Sequence, residues 1–317
     1  MRRLGLHFLL LAMVIECSAQ TPPDPRYEGT LGSATYSGGY VLDWDSPAYT
    51  RVSIYGPETK LTYSKNLQNA KDVYCNVWAV DSNGNAARAC ERREGQIELL
   101  DRAGELVQTI GTGSYFAQHI AFAPDHTFWT IGYELNYESR GEDFDVVHHY
   151  RRNGEEISRS LPWSQIAGDY NAYTSLPLTL GGKKIYTAND RIGFWTVLQE
   201  GHGSWVEISP AGTLLGKYDL GRFRVREYCP VTMTAGGSVY AKIFKESRFS
   251  GWAVLDRSKG QWREVKGYPK GTIIGSDGES LVFSEQKGPW TVLHTVSSGS
   301  LRVEPVSKEA VVAVLRE

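Results

Sequence analysis

At 317 residues the chain is long enough for one large domain or two modest ones, and a hydrophobic content of 41% supplies a core, which excludes a disordered polypeptide. The near balance of 34 basic and 36 acidic residues excludes the basic field that holds nucleic acid by its phosphates, and equally a charge-driven hold on a membrane surface. The 18 Tyr, 9 Trp and 10 Phe, punctuated by 33 Gly, favour pleated strands and tight turns over helix.

At the N-terminus Arg2 and Arg3 precede an apolar run from Leu4 to Ile15, and the small residues Cys17, Ser18 and Ala19 follow. This is the layout of a secretory signal peptide over residues 1–19, cleaved after Ala19. The run is shorter than the roughly 20 residues that cross a bilayer. No transmembrane segment is therefore expected after cleavage, the alternatives being an uncleaved anchor or a lipid on Cys17. The mature chain, residues 20–317, is expected to be one exported domain, periplasmic or secreted. It carries 32 basic and 35 acidic residues once Arg2, Arg3 and Glu16 are removed. Cys75, Cys90 and Cys229 remain. Cys75 and Cys90 flank one predicted hairpin and are either a disulfide or two buried small side chains.

Along the chain one hairpin is written six times. Its turn marker stands at Gly39, Gly84, His126, Gly182, Gly237 and Gly278, at spacings of 45, 42, 56, 55 and 41 residues. A second turn follows each copy: "YGPETKL", "DRAGELV", "RRNGEEI", "SPAGTLL", "RSKGQWREV" and "SSGSLRV". Each unit reads strand, turn, strand, loop, strand, turn, strand. Four antiparallel strands repeated at this period predict an all-β fold, a six-bladed β-propeller of four-stranded antiparallel blades. A seventh blade is expected only if the two ends fold into one. The ring is expected to close through "VVAVLRE" at the C-terminus or through Tyr27–Leu31, because closure removes exposed sheet edges.

Within the second unit, Asp81, Gly84, Ile97, Asp101, Gly104, Ile110 and Gly113 stand at the positions that mark an NHL repeat, and the stretch from residue 73 to 160 resembles that family. The chain also resembles the wider TolB-like group of six-bladed propellers. What the resemblance implies is architecture, since the matching residues build turns.

The longer connections concentrate aromatic and arginine side chains, the types that dominate binding hot spots. The candidate ligand-binding residues are Tyr115 and His119 in "GTGSYFAQH", Tyr137 and Arg140 in "YELNYESRGEDF", and Tyr170 and Tyr173 in "LPWSQIAGDYNAYTS". Arg191 and Trp195 in "ANDRIGFWTVLQEGHGS" join them, with Arg222, Arg224 and Arg226 in "GRFRVRE". In a strand the last three share one face, either as an anion-binding stripe or as a solvated face paired with Asp219 or Glu227. The acidic "GEDFD" (141–145) offers calcium ligands without the spacing of a calcium loop. His148 and His149 are adjacent on a predicted strand and point to opposite faces. No metal-binding, nucleophile-elbow or phosphate-loop motif occurs, and no catalytic residue is assigned.

The sequence thus predicts a propeller that binds a protein, peptide or glycan through its loop-rich face, with no cofactor and no nucleic-acid partner. The alternative comes from the resemblance, since some six-bladed propellers of the gluconolactonase type are metal-dependent hydrolases. It implies a metal-dependent hydrolase or lyase with calcium or zinc in the central channel, held by residues such as His119, Asn171, Asn189, Asp190 and Glu227.

Overall fold

The computed structural model describes residues 26–28, 33–44, 51–56, 60–66, 75, 77–91, 93–134, 143–167, 185–198, 202–222, 231–245, 248–269 and 271–305. Among them the chain forms six antiparallel sheets arranged as the blades of a propeller. Blade 1 is β2 (Ser33–Ser37), β3 (Tyr40–Trp44), β4 (Arg51–Tyr55) and β5 (Leu61–Asn66). Blade 2 is β6 (Val77–Val80), β7 (Ala86–Glu91), β8 (Gly95–Leu100) and β9 (Leu106–Gly113). Blade 3 is β10 (Tyr115–Phe122), β11 (Phe128–Glu134), β12 (Asp145–Tyr150) and β13 (Glu156–Pro162), followed by a short helix, Trp163–Ala167.

Blade 4 is β14 (Ile185–Thr187), β15 (Ile192–Leu198), β16 (His202–Ile208) and β17 (Leu214–Arg222). Blade 5 is β18 (Val231–Met233), β19 (Val239–Lys245), β20 (Arg248–Asp256) and β21 (Gln261–Lys266). Blade 6 takes β22 (Thr272–Asp277), β23 (Ser280–Lys287) and β24 (Trp290–Ser297). The first strands of neighbouring blades touch: β6 with β10, β10 with β14, β14 with β18, β18 with β22, and β22 with β2. They are the innermost ring.

The turns explain the repeat. Asp81 N–H bonds to Asn85 O (2.9 Å) and Gly84 N–H to Asp81 O (3.0 Å). This is a type I turn closed by a residue in the left-handed region, which hands the chain back as a bulge. The same pair of bonds recurs at 101–105, 123–127, 151–155, 209–213 and 234–238. The left-handed position is glycine in five of these turns, at φ 82–83°, and His126 at φ 64° in the other. The first residue's side chain then accepts from the fifth N–H: Asp81 from Asn85, Asp101 from Glu105, Ser209 from Thr213 and Thr234 from Ser238. The Asp-x-x-Gly pattern is thus a device for holding a turn, and Ser or Thr performs the same task in blades 4 and 5.

Adjacent residues on a strand face opposite seams, so these strands are apolar at successive positions. Leu42, Val52 and Ile54 of blade 1 meet Trp78, Val80 and Leu100 of blade 2. On the other face of blade 2, Ala79, Ala87 and Ala89 leave room for Tyr115, Phe128 and Tyr150 of blade 3. Phe116, Trp129 and Ile131 meet Ile185, Phe194 and Val206, and Trp195 and Trp205 meet Met233, Ala241 and Trp262. Tyr240 and Trp252 pack on Leu281 and Phe283. Ile274, Val282 and Leu293 of blade 6 return to Val41 of blade 1.

Two expectations are corrected. Gly182 is not the first-hairpin marker of blade 4: that turn lies at 188–191, between β14 and β15, and Gly182 is outside the described residues. The turn at "SSGSLRV" does not complete blade 6. It hands the chain to β25 (Arg302–Pro305), which adds a fifth strand to the outer edge of β21 in blade 5. The fourth strand of blade 6 is instead β1 (Arg26–Glu28), paired antiparallel with β24. Closure therefore comes from the N-terminal segment, at Tyr27 and Glu28. "VVAVLRE", Cys229 and the expected signal peptide lie outside the described residues.

Cys75 and Cys90 are joined by a disulfide across 15 residues. It ties the approach to β6 to strand β7, and both cysteines are buried. Closing a loop of that size contributes about 3 kcal/mol by restricting the unfolded chain. A Cys75→Ser/Cys90→Ser double variant should therefore unfold at a clearly lower urea concentration. Coincident midpoints for variant and wild type would show that the bridge contributes nothing.

Candidate functional site

Antiparallel strands place the six recurrent turns at one end of the ring and the longer connections at the other. Glu134 and Asp143 anchor one long connection at that second end, Ala167 and Ile185 a second, and Arg222 and Val231 a third. Tyr137, Arg140, Tyr170, Tyr173, Arg224 and Arg226 lie within these connections, outside the described residues. Arg222 is the last residue of β17, register partner of His202 at the end of β16 nearest the long connections.

The other four candidates are not loop residues of that end. Tyr115 begins β10 and is fully buried, its hydroxyl donating to Val146 O (3.1 Å) and sharing a hydrogen bond with Thr130 Oγ1 (3.0 Å). Burial holds its phenol well above the usual range. His119 is buried on the same innermost strand. Trp195 is on β15 and packs inside the seam between blades 4 and 5. The physical reason is common to all three. "GTGSYFAQH" is the end of one strand, a single-residue turn and the start of the next, and "FWTVL" is strand throughout.

Arg191 sits at the tight-turn end, beside Asn189 and Asp190. Its Nε donates to Asp190 (2.9 Å) and its Nη1 to Glu207 (3.0 Å). Glu207 is wholly buried and also receives Arg257 Nε from blade 5 (2.7 Å) and the Trp205 indole N–H (2.7 Å). Arg257 reaches Gly237 O as well. Arg191 thus holds Glu207 from within its own blade, Asp190 stays largely exposed, and Arg257 carries the tie between blades 4 and 5.

A second buried pair lies in the seam between blades 1 and 2. Arg88 Nε donates to Glu98 (2.8 Å), Arg88 lies over the Trp78 ring at 5.2 Å, and Trp78 Nε1 donates to Cys75 O (2.8 Å). Glu98 with Cys75 and Cys90 is the set of metal-donor atoms that clusters among the described residues. The two sulfurs are bonded to each other, however, and Glu98 is bonded to Arg88.

The polar groups of blade 3 are also internal. Thr127 donates its hydroxyl to Asp125 (2.6 Å), so it can only accept from His149 Nε2 (2.8 Å). Partial burial opposes ionisation of Asp125, and the Thr127 hydroxyl and N–H outweigh it, holding the carboxyl below its usual range. In this order of donors the histidine cannot take the hydroxyl's proton, so the chain braces a turn and does not activate a nucleophile. Asp143 accepts from the backbone N–H of Phe144 and Ser164 and from the Ser164 hydroxyl. Asp143 of the acidic stretch thus caps a helix start. Among the proposed channel ligands Asp190 is bound by Arg191, and His119 is buried in a different blade. Asn171 and Glu227 lie outside the described residues.

Glu207, Arg257 and the Arg88–Glu98 pair escaped the sequence. Only the β7–β8 register, which sets Arg88 directly opposite Glu98, could have revealed that pair.

No family model and no curated protein matches the chain. Among solved structures it is similar to a protein of unknown function from Bacteroides caccae, at 12% identity over 75% of this chain and 80% of that one, with a TM-score of 0.49.

His148 gives the interior a pH dependence. It stacks on Tyr115 at 3.6 Å and shares a hydrogen bond between Nδ1 and the Tyr150 hydroxyl (3.1 Å). Burial pushes its pKa down from 6.5 to about 4, against the pull of Glu156 and with some help from Arg159. Between those two values the unfolded chain binds the proton and the folded chain does not. The contribution of His148 to stability is therefore complete above pH 6.5 and declines as pH falls, by up to about 1.4 kcal/mol per unit. Urea unfolding of wild type and His148→Phe between pH 7.5 and 4.5 should give a steeper loss for wild type. Parallel curves would exclude His148 as its source.

Proposed function

We propose that the chain is an exported binding propeller, whose loop-rich end holds a protein, peptide or glycan. The observation that carries this reading is topological. The ring gathers the anchors of three long connections, rich in Arg and aromatic residues, at one end, and the opposite end is occupied by braced turns. A rigid scaffold presenting variable segments at one face is the usual arrangement of a binding surface. Arg222 stands at the edge of that face and leads into Arg224 and Arg226. The buried Cys75–Cys90 disulfide supports folding in an oxidising compartment, in line with the leader-like residues 1–19 and a periplasmic or secreted location.

The channel-metal reading of the gluconolactonase type asks inward carboxylates to be available to an ion. Asp190 instead makes its bonds to Arg191, which favours binding over metal-dependent hydrolysis.

Residues 20–317, produced in an export-competent host, should capture a ligand on peptide or glycan arrays or from extracellular material. An Arg222→Ala/Arg224→Ala/Arg226→Ala variant should bind at least about tenfold more weakly, as loss of a hot-spot cluster implies. One tightly held metal per chain together with lactone or ester turnover would replace this reading with the hydrolase one.

A further inference from the structure

At the loop-rich end of blade 6, β23 and β24 meet in a tight hairpin through Gly288 and Pro289, and Trp290 is 42% exposed on its tip. The tip is held in shape. Gln286 Nε2 donates to Gly288 O (2.8 Å), and Gln286 Oε1 accepts the Thr291 hydroxyl (2.9 Å). Register places Lys287 opposite Trp290, Glu285 opposite Val292 and His294 opposite Phe283. All therefore lie on one face of the hairpin. It is the face that, further along the strands, packs Leu281 and Phe283 into the seam with blade 5.

On this face Glu285 joins His294 Nε2 (2.9 Å) and Lys287 Nζ (3.2 Å). Lys287 is half exposed, and Glu285 and His294 are each about one-fifth exposed. The mouth of the seam thus offers an exposed indole beside a carboxylate, an ammonium and an imidazole on a pre-set hairpin.

We infer that Trp290, Glu285, Lys287 and His294 form a saccharide subsite for a neutral, β-linked pyranose chain. An indole supplies a flat apolar platform for the C–H face of a sugar ring that carries its hydroxyls equatorially. The carboxylate accepts from those hydroxyls, and the ammonium donates to them. Glu285 and Lys287 cancel in charge, as do Arg26 and Glu28, which β1 sets opposite Val292 and Trp290, and this balance selects a neutral sugar over a uronate, a sulfated glycan or a phosphate. Because the hairpin is already braced, little ordering is left to binding. The inference rests on the binding reading above and gives it one ligand class and one place.

The test is calorimetry and tryptophan fluorescence with cellotetraose and chitotetraose, against maltotetraose, whose α-links turn its rings out of line. Saturable binding of a β-linked tetrasaccharide is expected, with a Kd on the order of 1 mM or tighter. Trp290→Ala should weaken it at least tenfold, Trp290→Phe less, and Glu285→Gln about threefold, with unfolding midpoints unchanged because these side chains sit at the rim. No heat or fluorescence change with either β-linked tetrasaccharide up to about 10 mM overturns the inference. So does binding that Trp290→Ala leaves intact. If such binding is instead lost in the Arg222/Arg224/Arg226 variant, the site is wrong and the binding reading stands. Capture of a peptide or protein with no saccharide bound has the same meaning.

Discussion

A blade of this molecule cannot stand alone, because both of its faces are apolar. Ala79 and Val80, or Phe194 and Trp195, point to opposite sides of the same sheet, and each side needs another blade. A stack of such sheets ends only when it returns on itself. Much of the rest follows from that constraint: the innermost ring of first strands, the small residues of blade 2 set against the large ones of blade 3, and β1 completing blade 6. The N-terminal strand is the join that turns six stacked sheets into a ring.

Apolar seams exclude water without fixing which blade lies at which height, and the polar groups of the seams supply that information. Hydroxyls bond to the carbonyl of the last residue on a neighbouring first strand: Ser37 to Val80 O (2.8 Å), Thr187 to Phe122 O (2.8 Å) and Ser276 to Met233 O (2.7 Å). They tie blade 1 to 2, 3 to 4 and 5 to 6. Between blades 4 and 5 the Tyr186 hydroxyl bonds to Val231 O, and an ionic tie is added where Arg257 of blade 5 closes on Glu207, already held by Arg191 of its own blade. Buried ion pairs contribute little net stability, since desolvation offsets attraction, but breaking one leaves a costly lone charge. That asymmetry suits alignment: a seam between blades 4 and 5 assembled out of register would take Arg257 away from Glu207.

How much of this was legible in the sequence depends on the range of the interaction. The turns are local, closed by residues four apart, so Asp81, Gly84, Asp101 and Gly104 were readable, and even His126 was found at its left-handed position. Blade 4 failed because its first turn lacks a glycine marker and the nearby Gly181–Gly182 drew the eye. Closure stayed open between the two termini because β1 and β24 are separated by nearly the whole chain, and nothing local says which terminus pairs; the N-terminal candidate, through Tyr27, is the one that does. Tyr115, Trp195 and Arg191 were placed in the long connections for one reason. Sequence shows that a side chain is large or charged, and whether a neighbouring blade already uses it is a fact of the ring.

That distinction also decides where function should be sought. In a propeller a large side chain has two kinds of place, the seam and the rim. Seam residues are engaged by construction: Trp195 and Trp205 in packing, Arg191 and Arg257 on Glu207, Tyr115 on Val146 and His148. Conformational freedom there would open the ring, so selection for binding can act on them only at the expense of the fold. Among the described residues of the loop-rich rim, Trp290 is a large side chain that stands partly in solvent. The backbone of Trp290 pairs with Glu28 in the closing ladder, while its indole stands 42% exposed on a braced hairpin at a seam's mouth, with a balanced pair of charges beside it. In the reading proposed above the indole serves recognition as a rigid platform with polar groups at fixed positions.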